Sequence, residues 1–295
     1  MSKVHSKFRG TGVAMVTPFK NDGSVDYKQL EKVTQHIIKG KCEYLVVLGT
    51  TGESVTLSKE EKKSVVKCVI AAAEKKVSVV LGHGGNNTQE LLEGLNTMDF
   101  KGIDAILSVS PYYNKPTQEG IYQHYKAIAQ NSPLPLILYN VPGRTSSNIT
   151  AETTLRLAHD FKNIIAVKEA SGNLEQMMKI INGKPQDFLV ISGDDALTLP
   201  LSACGGDGVI SVVANAFPKD FSEMVRLSLK GDFAKARKLH YKLLEITALL
   251  FVDGNPAGVK SAMQSLGICS AKVRLPLVEV TKQTSDRLKQ LIIAY

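Results

Sequence analysis

Ile164-Ile165-Ala166-Val167-Lys168-Glu169-Ala170-Ser171-Gly172 is an apolar run that ends in a cation, an acid and a small polar turn. Its first four residues are apolar whichever face they present, as a parallel strand buried between two layers must be. The same design recurs at Gly12 to Phe19, Tyr44 to Gly49, Val77 to Gly82, Asp104 to Val109, Pro135 to Asn140, Phe188 to Gly193 and Gly208 to Val213. Longer segments with helical periodicity separate these runs. After Asp26, residues Tyr27, Leu30, Val33 and Ile37 share one helix face. Ser58 with Glu61 forms a capping box in front of Val65, Val66, Val69 and Ile70. Eight strand–helix units predict an α/β fold, a closed (β/α)8 TIM barrel, which needs about 250 residues. A doubly wound sheet is disfavoured because no G-x-G-x-x-G follows the first run. Past about residue 218 the strand-like runs stop. Phe221 to Leu229, Phe233 to Phe251, Ala257 to Leu266 and Val278 to Ala294 read as helices. The expected organisation is a catalytic barrel over residues 1–231 and a helical extension over residues 232–295 packed on it, with no flexible linker between them.

The chain has 295 residues, 43% hydrophobic and 22% charged, which excludes a disordered or collagen-like protein. Its net charge of +8 raises nucleic acid as a partner. The lysines, however, lie along helical segments such as Lys59, Lys62, Lys63 and Lys67, among acids and apolar residues. No aromatic platform accompanies them, so solvated helix faces are the expectation, with no nucleic acid. Cys42, Cys68, Cys204 and Cys269 are too dispersed for a disulfide framework or a zinc site, and no histidine motif suggests another metal. The start, Met1 to Lys7, lacks a signal-peptide apolar stretch, and no later run matches a membrane helix, so a cytoplasmic protein is expected.

In a (β/α) barrel the chemistry gathers at the carboxyl ends of the strands. Lys168 sits there, and period-two alternation places it on the face of Ala166 and Ile164. If that face is interior, the amine is poorly solvated and suited to attack a carbonyl, as a Schiff-base lysine must. The competing reading is a lysine that reaches solvent and pairs with Glu169. Tyr139, Tyr113 and Thr50 also lie at strand ends, where hydroxyls can both donate and accept protons. Core or rim packing of the tyrosines and turn formation at Thr50 are the competing readings. Gly49, Gly52 and Gly193 fit either tight turns or a close backbone approach to a ligand, and the amides of the Thr50-Thr51 turn suit a carboxylate. Arg144 is either a second carboxylate fork or a surface arginine. Asp194-Asp195 is read as capping the helix that follows.

Four strings in order, Gly49-Thr50-Thr51-Gly52-Glu53-Ser54, Ser110-Pro111-Tyr112-Tyr113-Asn114-Lys115-Pro116, Leu138-Tyr139-Asn140-Val141-Pro142-Gly143-Arg144-Thr145 and Val167-Lys168-Glu169-Ala170-Ser171-Gly172, resemble the 4-hydroxy-tetrahydrodipicolinate synthase (dihydrodipicolinate synthase) family, within the pyruvate-dependent class I aldolase superfamily. The resemblance covers essentially the whole chain. It implies that Lys168 forms the Schiff base with pyruvate and that Tyr139 relays protons with Thr50 and Tyr113. The last of these reaches in from a neighbouring subunit in that family. It also implies that Thr51 and Ile210 hold pyruvate, with Gly193 at the substrate site, and that Arg144 receives the carboxylate of aspartate semialdehyde. No cofactor is needed, and the family is usually a tetramer built as a dimer of dimers.

One departure concerns the pocket through which lysine inhibits some members. Its positions here are Ser54, Val55, Lys59, Lys62, Asn86, Glu90 and Tyr112. Lys59 and Lys62 stand where histidines occur in inhibited members, so weak or absent lysine feedback is expected. Other superfamily aldolases, such as N-acetylneuraminate lyase or 2-keto-3-deoxy-sugar-acid aldolases, and a non-catalytic binding protein on the same barrel, are the rival readings.

Overall fold

The computed structural model describes residues 6–295, so Met1 to His5, part of the stretch read for a leader, lie outside the described residues. Strands β1 (Gly10–Ala14), β2 (Tyr44–Val47), β3 (Ser78–Gly82), β4 (Ala105–Val109), β5 (Leu136–Asn140), β6 (Ile164–Glu169), β7 (Leu189–Ser192) and β8 (Gly208–Ser211) close into a barrel in sequence order. Every adjacent pair is parallel, including β8 against β1. The barrel is the architecture expected from the eight apolar runs.

Helices α1 (Tyr27–Lys39), α2 (Lys59–Ala73), α3 (Thr88–Thr97), α4 (Gln118–Asn131), α5 (Pro142–Thr145), α6 (Ala151–Asp160), α7 (Leu174–Gly183), α8 (Thr198–Ala203) and α9 (Pro218–Leu229) lie between and after the strands. The chain ends in α10 (Phe233–Val252), α11 (Ala257–Ser265) and α12 (Lys282–Ala294). Local signals set several of these starts. The Asp26 carboxylate accepts from the amide of Gln29, and the Ser58–Glu61 capping box forms at α2. Such a cap contributes about 1 kcal/mol. Among the described residues no helix is long and apolar enough to cross a membrane.

The strand side chains divide into two sets. One buried cluster contains a member of every strand and no residue of any helix, including Ala14, Tyr44, Val46, Val80, Leu107, Ile137, Tyr139, Ala166, Ile191 and Ile210. This is the barrel interior. Alternate strand residues, such as Val13, Leu45, Leu81 and Val209, or Leu136, Leu138, Val167 and Val190, pack outward in two further clusters that also contain helix residues. Small residues make room for large ones inside. A Cβ on Gly12 would lie 2.1 Å from the Tyr44 ring, so the β1 glycine admits that ring into the barrel.

Two boundaries depart furthest from the sequence expectation. The first strand is Gly10–Ala14 rather than Gly12 to Phe19. Beyond Ala14 the chain stays buried but leaves the ladder, because the Val16 amide donates to the Asn215 side chain at 3.1 Å. Met15, Val16 and Phe19 therefore look strand-like in composition while packing under other elements. The last helix starts at Lys282, not near Val278, because the Thr281 side chain accepts from the amide of Thr284 and fixes the start there.

Candidate active site

β6 carries the sharpest feature. Its register against β5 slips between Ile164 and Ala166, so Ile165 is an extra residue in the pairing. The slip corrects the expected face. Ile164 packs outward, whereas Ile165 and Ala166 both face the interior, and alternation resumes with Val167 outward and Lys168 inward. Lys168 is only 5% exposed. It is the register partner of Tyr139 on β5, and its Nζ lies 4.1 Å from the centroid of the Tyr139 ring.

The solvent-reaching reading of Lys168 does not describe this geometry. Glu169 points away from it and is fully buried, with Oε2 accepting from Asn140 Nδ2 and Gln176 Nε2 at 2.9 Å each, and Oε1 accepting from the Ser171 amide at 2.7 Å. Glu169 thus fastens β6 to β5 and to the start of α7. Asn140 does more: its Oδ1 accepts from the Ile149 amide at 2.9 Å, closing the 141–149 loop over the strand end. That loop holds α5 and Arg144.

Lys168 and Tyr139 open onto a cavity of about 420 Å³, also lined by Thr50, Thr51, Val141, Arg144, Ala170, Gly193 and Asp194. Thr50 and Thr51 sit in a one-turn 3-10 helix, Thr50–Gly52, tied to the first strand's extension where Thr17 Oγ1 donates to the Gly52 carbonyl at 2.7 Å. Gly193 must be glycine, since a Cβ there would lie 2.5 Å from the Ala170 Cβ. The cavity therefore presents one buried amine, a phenol, the hydroxyls of the Thr50–Thr51 turn and an exposed guanidinium at its rim. Such a set suits a small substrate bearing a carbonyl next to a carboxylate.

Asp194 Oδ1 accepts from the amides of Ala196 and Leu197 at 2.9 and 3.3 Å, so it holds the turn leading into α8. Asp195 instead turns inward to Ser211 Oγ at 2.5 Å and the Val212 amide at 3.0 Å. Burial pushes its carboxyl up to about 6 against the hydrogen bonds that pull it down. Asp195 thereby fixes β8 beneath the cavity wall.

Two of the expected site residues lie elsewhere. Ile210 is in the interior cluster and is not among the cavity-lining residues. Tyr113, with φ of +73°, is 88% exposed and lies outside the cavity of its own chain. Sequence reasoning missed the contribution of the tail. Leu244, Thr247, Ala248 and Phe251 of α10, and Asn255 just after it, line the cavity. Asn255 Nδ2 donates to Thr51 Oγ1 at 3.0 Å. The polar break Asp253-Gly254-Asn255-Pro256 between two helical runs was the one available signal.

Residues 7–295 match the Dihydrodipicolinate synthetase family. The chain belongs to that family. It is 57% identical over 281 residues to the 4-hydroxy-tetrahydrodipicolinate synthase of Flavobacterium psychrophilum, covering 95% of this chain and 96% of the relative. The synthase of Parabacteroides distasonis is 55% identical over 284 residues, with 96% of each chain covered. Among solved structures, the chloride-inhibited dihydrodipicolinate synthase of Acinetobacter baumannii in complex with pyruvate superposes with a TM-score of 0.93, at 41% identity over 97% of this chain and 98% of that one.

Proposed function

We propose that this chain is a 4-hydroxy-tetrahydrodipicolinate synthase, a lyase that condenses pyruvate with L-aspartate 4-semialdehyde in lysine and diaminopimelate biosynthesis. The observation that carries the reading is the buried Lys168 amine against Tyr139 at the floor of a small cavity with hydroxyls and a rim arginine. The Lys168 amine adds to the ketone carbon of pyruvate and loses water, giving an imine that withdraws electrons from the adjacent methyl group. Tyr139, within the same cavity, takes and returns the protons, with Thr50 and Tyr113 as its relay partners. The resulting enamine carbon attacks the aldehyde carbon of the second substrate. The amine of that substrate then displaces Lys168, closes the ring and frees the enzyme. Thr51, with the backbone near Ile210 and Gly193, holds the pyruvate part, and Arg144 holds the carboxylate of the semialdehyde.

The division into a barrel over residues 1–231 and a tail over 232–295 is part of this proposal, with the tail completing the cavity wall. The protein is read as cytoplasmic. A coupled assay with pyruvate and aspartate semialdehyde tests the function directly. N-acetylneuraminate and keto-deoxy sugar acids are run in parallel, and turnover of either in place of the semialdehyde would move the reading to another aldolase.

Tyr113 is exposed on its own chain, so the relay requires a second copy to bring it in; a tetramer built as a dimer of dimers supplies one. Sedimentation at working concentration is expected to show a species larger than one chain. A fully active monomer would contradict the shared tyrosine.

The proposed effector pocket comprises Ser54, exposed Val55, Lys59, Lys62, Asn86, Glu90 and Tyr112. Asn86 Nδ2 donates to the Tyr112 carbonyl at 3.0 Å. Burial lowers the pKa of the neighbouring His83 imidazole, a shift that Lys62 adds to and Glu90 opposes, and Lys59 and Lys62 bring two ammonium groups to the proposed pocket. Free lysine is a cation and is repelled there. Millimolar lysine is expected to leave the rate unchanged, and sub-millimolar inhibition would overturn this reading.

A further inference from the structure

Beneath the Thr50–Thr51 turn lies an ion pair that no reacting group touches. Glu53 follows the turn directly, at φ of +52°, a left-handed backbone that residues other than glycine adopt only under constraint. Its side chain is buried and runs inward to the tail. Oε1 accepts from Lys260 Nζ at 2.6 Å, and Oε2 accepts from the Arg274 amide at 2.9 Å. Lys260 is fully buried on α11, among Ala257, Gly258, Val259, Ser261, Ala262 and Met263 along that helix. Its ammonium donates also to the Lys272 carbonyl at 2.8 Å and lies 4.2 Å from the centroid of the Phe19 ring. Among the described residues it is the one ion pair with both side chains essentially withdrawn from solvent.

The neighbouring contacts converge on the same loop. Arg274 reaches the Thr56 carbonyl at 2.9 Å and both carboxylate oxygens of Glu61 at 2.8 and 2.5 Å. Asn255 donates to the Thr51 hydroxyl. Three tail residues, Asn255, Lys260 and Arg274, thus fasten the segment from Thr51 to Glu61, and of these only Asn255 faces the cavity. A buried ion pair is a poor way to gain stability, because desolvating two charges offsets their attraction. It does fix direction, which apolar packing does not.

We propose that Glu53 and Lys260 are a positioning pair that holds the Thr50–Thr51 turn at the distance from Lys168 that pyruvate requires, so that α11 belongs to the pyruvate-binding apparatus. The proposal rests on the functional reading above, in which Thr51 binds pyruvate. Displacing the turn by about 1 Å is enough to weaken binding and turnover substantially.

The test separates positioning from stability. Lys260→Met leaves the Glu53 charge buried and unpaired and is expected to lower Tm sharply. Glu53→Met/Lys260→Met removes both charges at similar volume and is expected to recover Tm. Under the proposal the double variant still shows a pyruvate KM raised about tenfold or more. Its KM for the semialdehyde stays within about twofold, because Arg144 sits on the separate loop pinned by Asn140. A double variant with recovered Tm and wild-type pyruvate KM would overturn the proposal and leave the pair purely structural. If the double variant does not fold, Glu53→Gln decides by the same readout: it keeps the side-chain shape and one acceptor, so a pyruvate KM raised about fivefold supports positioning, and an unchanged KM refutes it. Wild-type protein is treated with pyruvate and borohydride alongside. Failure to trap pyruvate there would sink the functional reading, whereas trapping with unaltered variant kinetics would sink the positioning pair alone.

Discussion

Lys168→Ala is expected to reduce turnover of pyruvate and aspartate semialdehyde by about 10⁴-fold or more while leaving the fold intact. The size follows from the chemistry. Without the amine there is no imine, and without the imine the methyl protons of pyruvate are not acidic enough to leave near neutral pH. Among the described residues no other lysine lines the cavity to take its place. The fold should survive because Lys168 stands at the mouth end of β6, and the bonds that tie that strand end down run from Glu169 to Asn140, Gln176 and Ser171. Circular dichroism and Tm report the fold, and steady-state rates report the loss. Retention of even a hundredth of the wild-type rate would mean that the reaction does not pass through this amine.

Tyr139→Phe has the second largest expected effect, a drop in kcat of about 10² to 10³-fold. The ring stays, so its packing against Lys168 at 4.1 Å and its place in the barrel interior are kept, and only the hydroxyl is lost. Pyruvate should still bind and still form the imine, slowly, because the amine and the Thr50–Thr51 turn are untouched. The signature is therefore a low kcat with near-normal pyruvate KM. A variant with normal kcat would reassign Tyr139 to packing, the other reading that a strand-end tyrosine allows.

The barrel was legible because each of its strands is apolar on both faces and ends in a polar turn, and no other common architecture repeats that eight times. That architecture makes Lys168, Tyr139, Thr50, Thr51, Arg144 and Gly193 candidates by their place at strand ends, with packing, turn and surface readings open beside them, and only the family resemblance chooses among these. For Lys168 the sequence leaves an interior and a solvent-facing placement open, and in the structure the side chain is buried against the Tyr139 ring. Period-two alternation puts Ile164 on the face of Lys168, and the extra residue at Ile165 reverses that. A bulge leaves no mark in a run where every residue is apolar.

The rest was illegible for a different reason. Asn255, Thr247 and Phe251 face the cavity only because the tail folds back over the barrel mouth, and a helix's own periodicity does not say which distant surface it will meet. Lys260 was an exception in principle: a lone cation in the run Ala257-Gly258-Val259-Lys260-Ser261-Ala262-Met263 marks a charge that has to find a partner. Its partner, Glu53, lies 207 residues away in sequence. Tyr113 presents the opposite case. Its own chain gives it no site, so its role rests on family resemblance and on a second copy.

The most direct measurement is reductive trapping. The native protein is incubated with pyruvate, treated with borohydride and digested, and the modified peptide is sequenced by mass spectrometry. The predicted result is one reduced pyruvate adduct per chain, on Lys168, absent when borohydride or pyruvate is withheld. A folded protein that remains unmodified at saturating pyruvate, or that carries the adduct on a different lysine, would contradict the account.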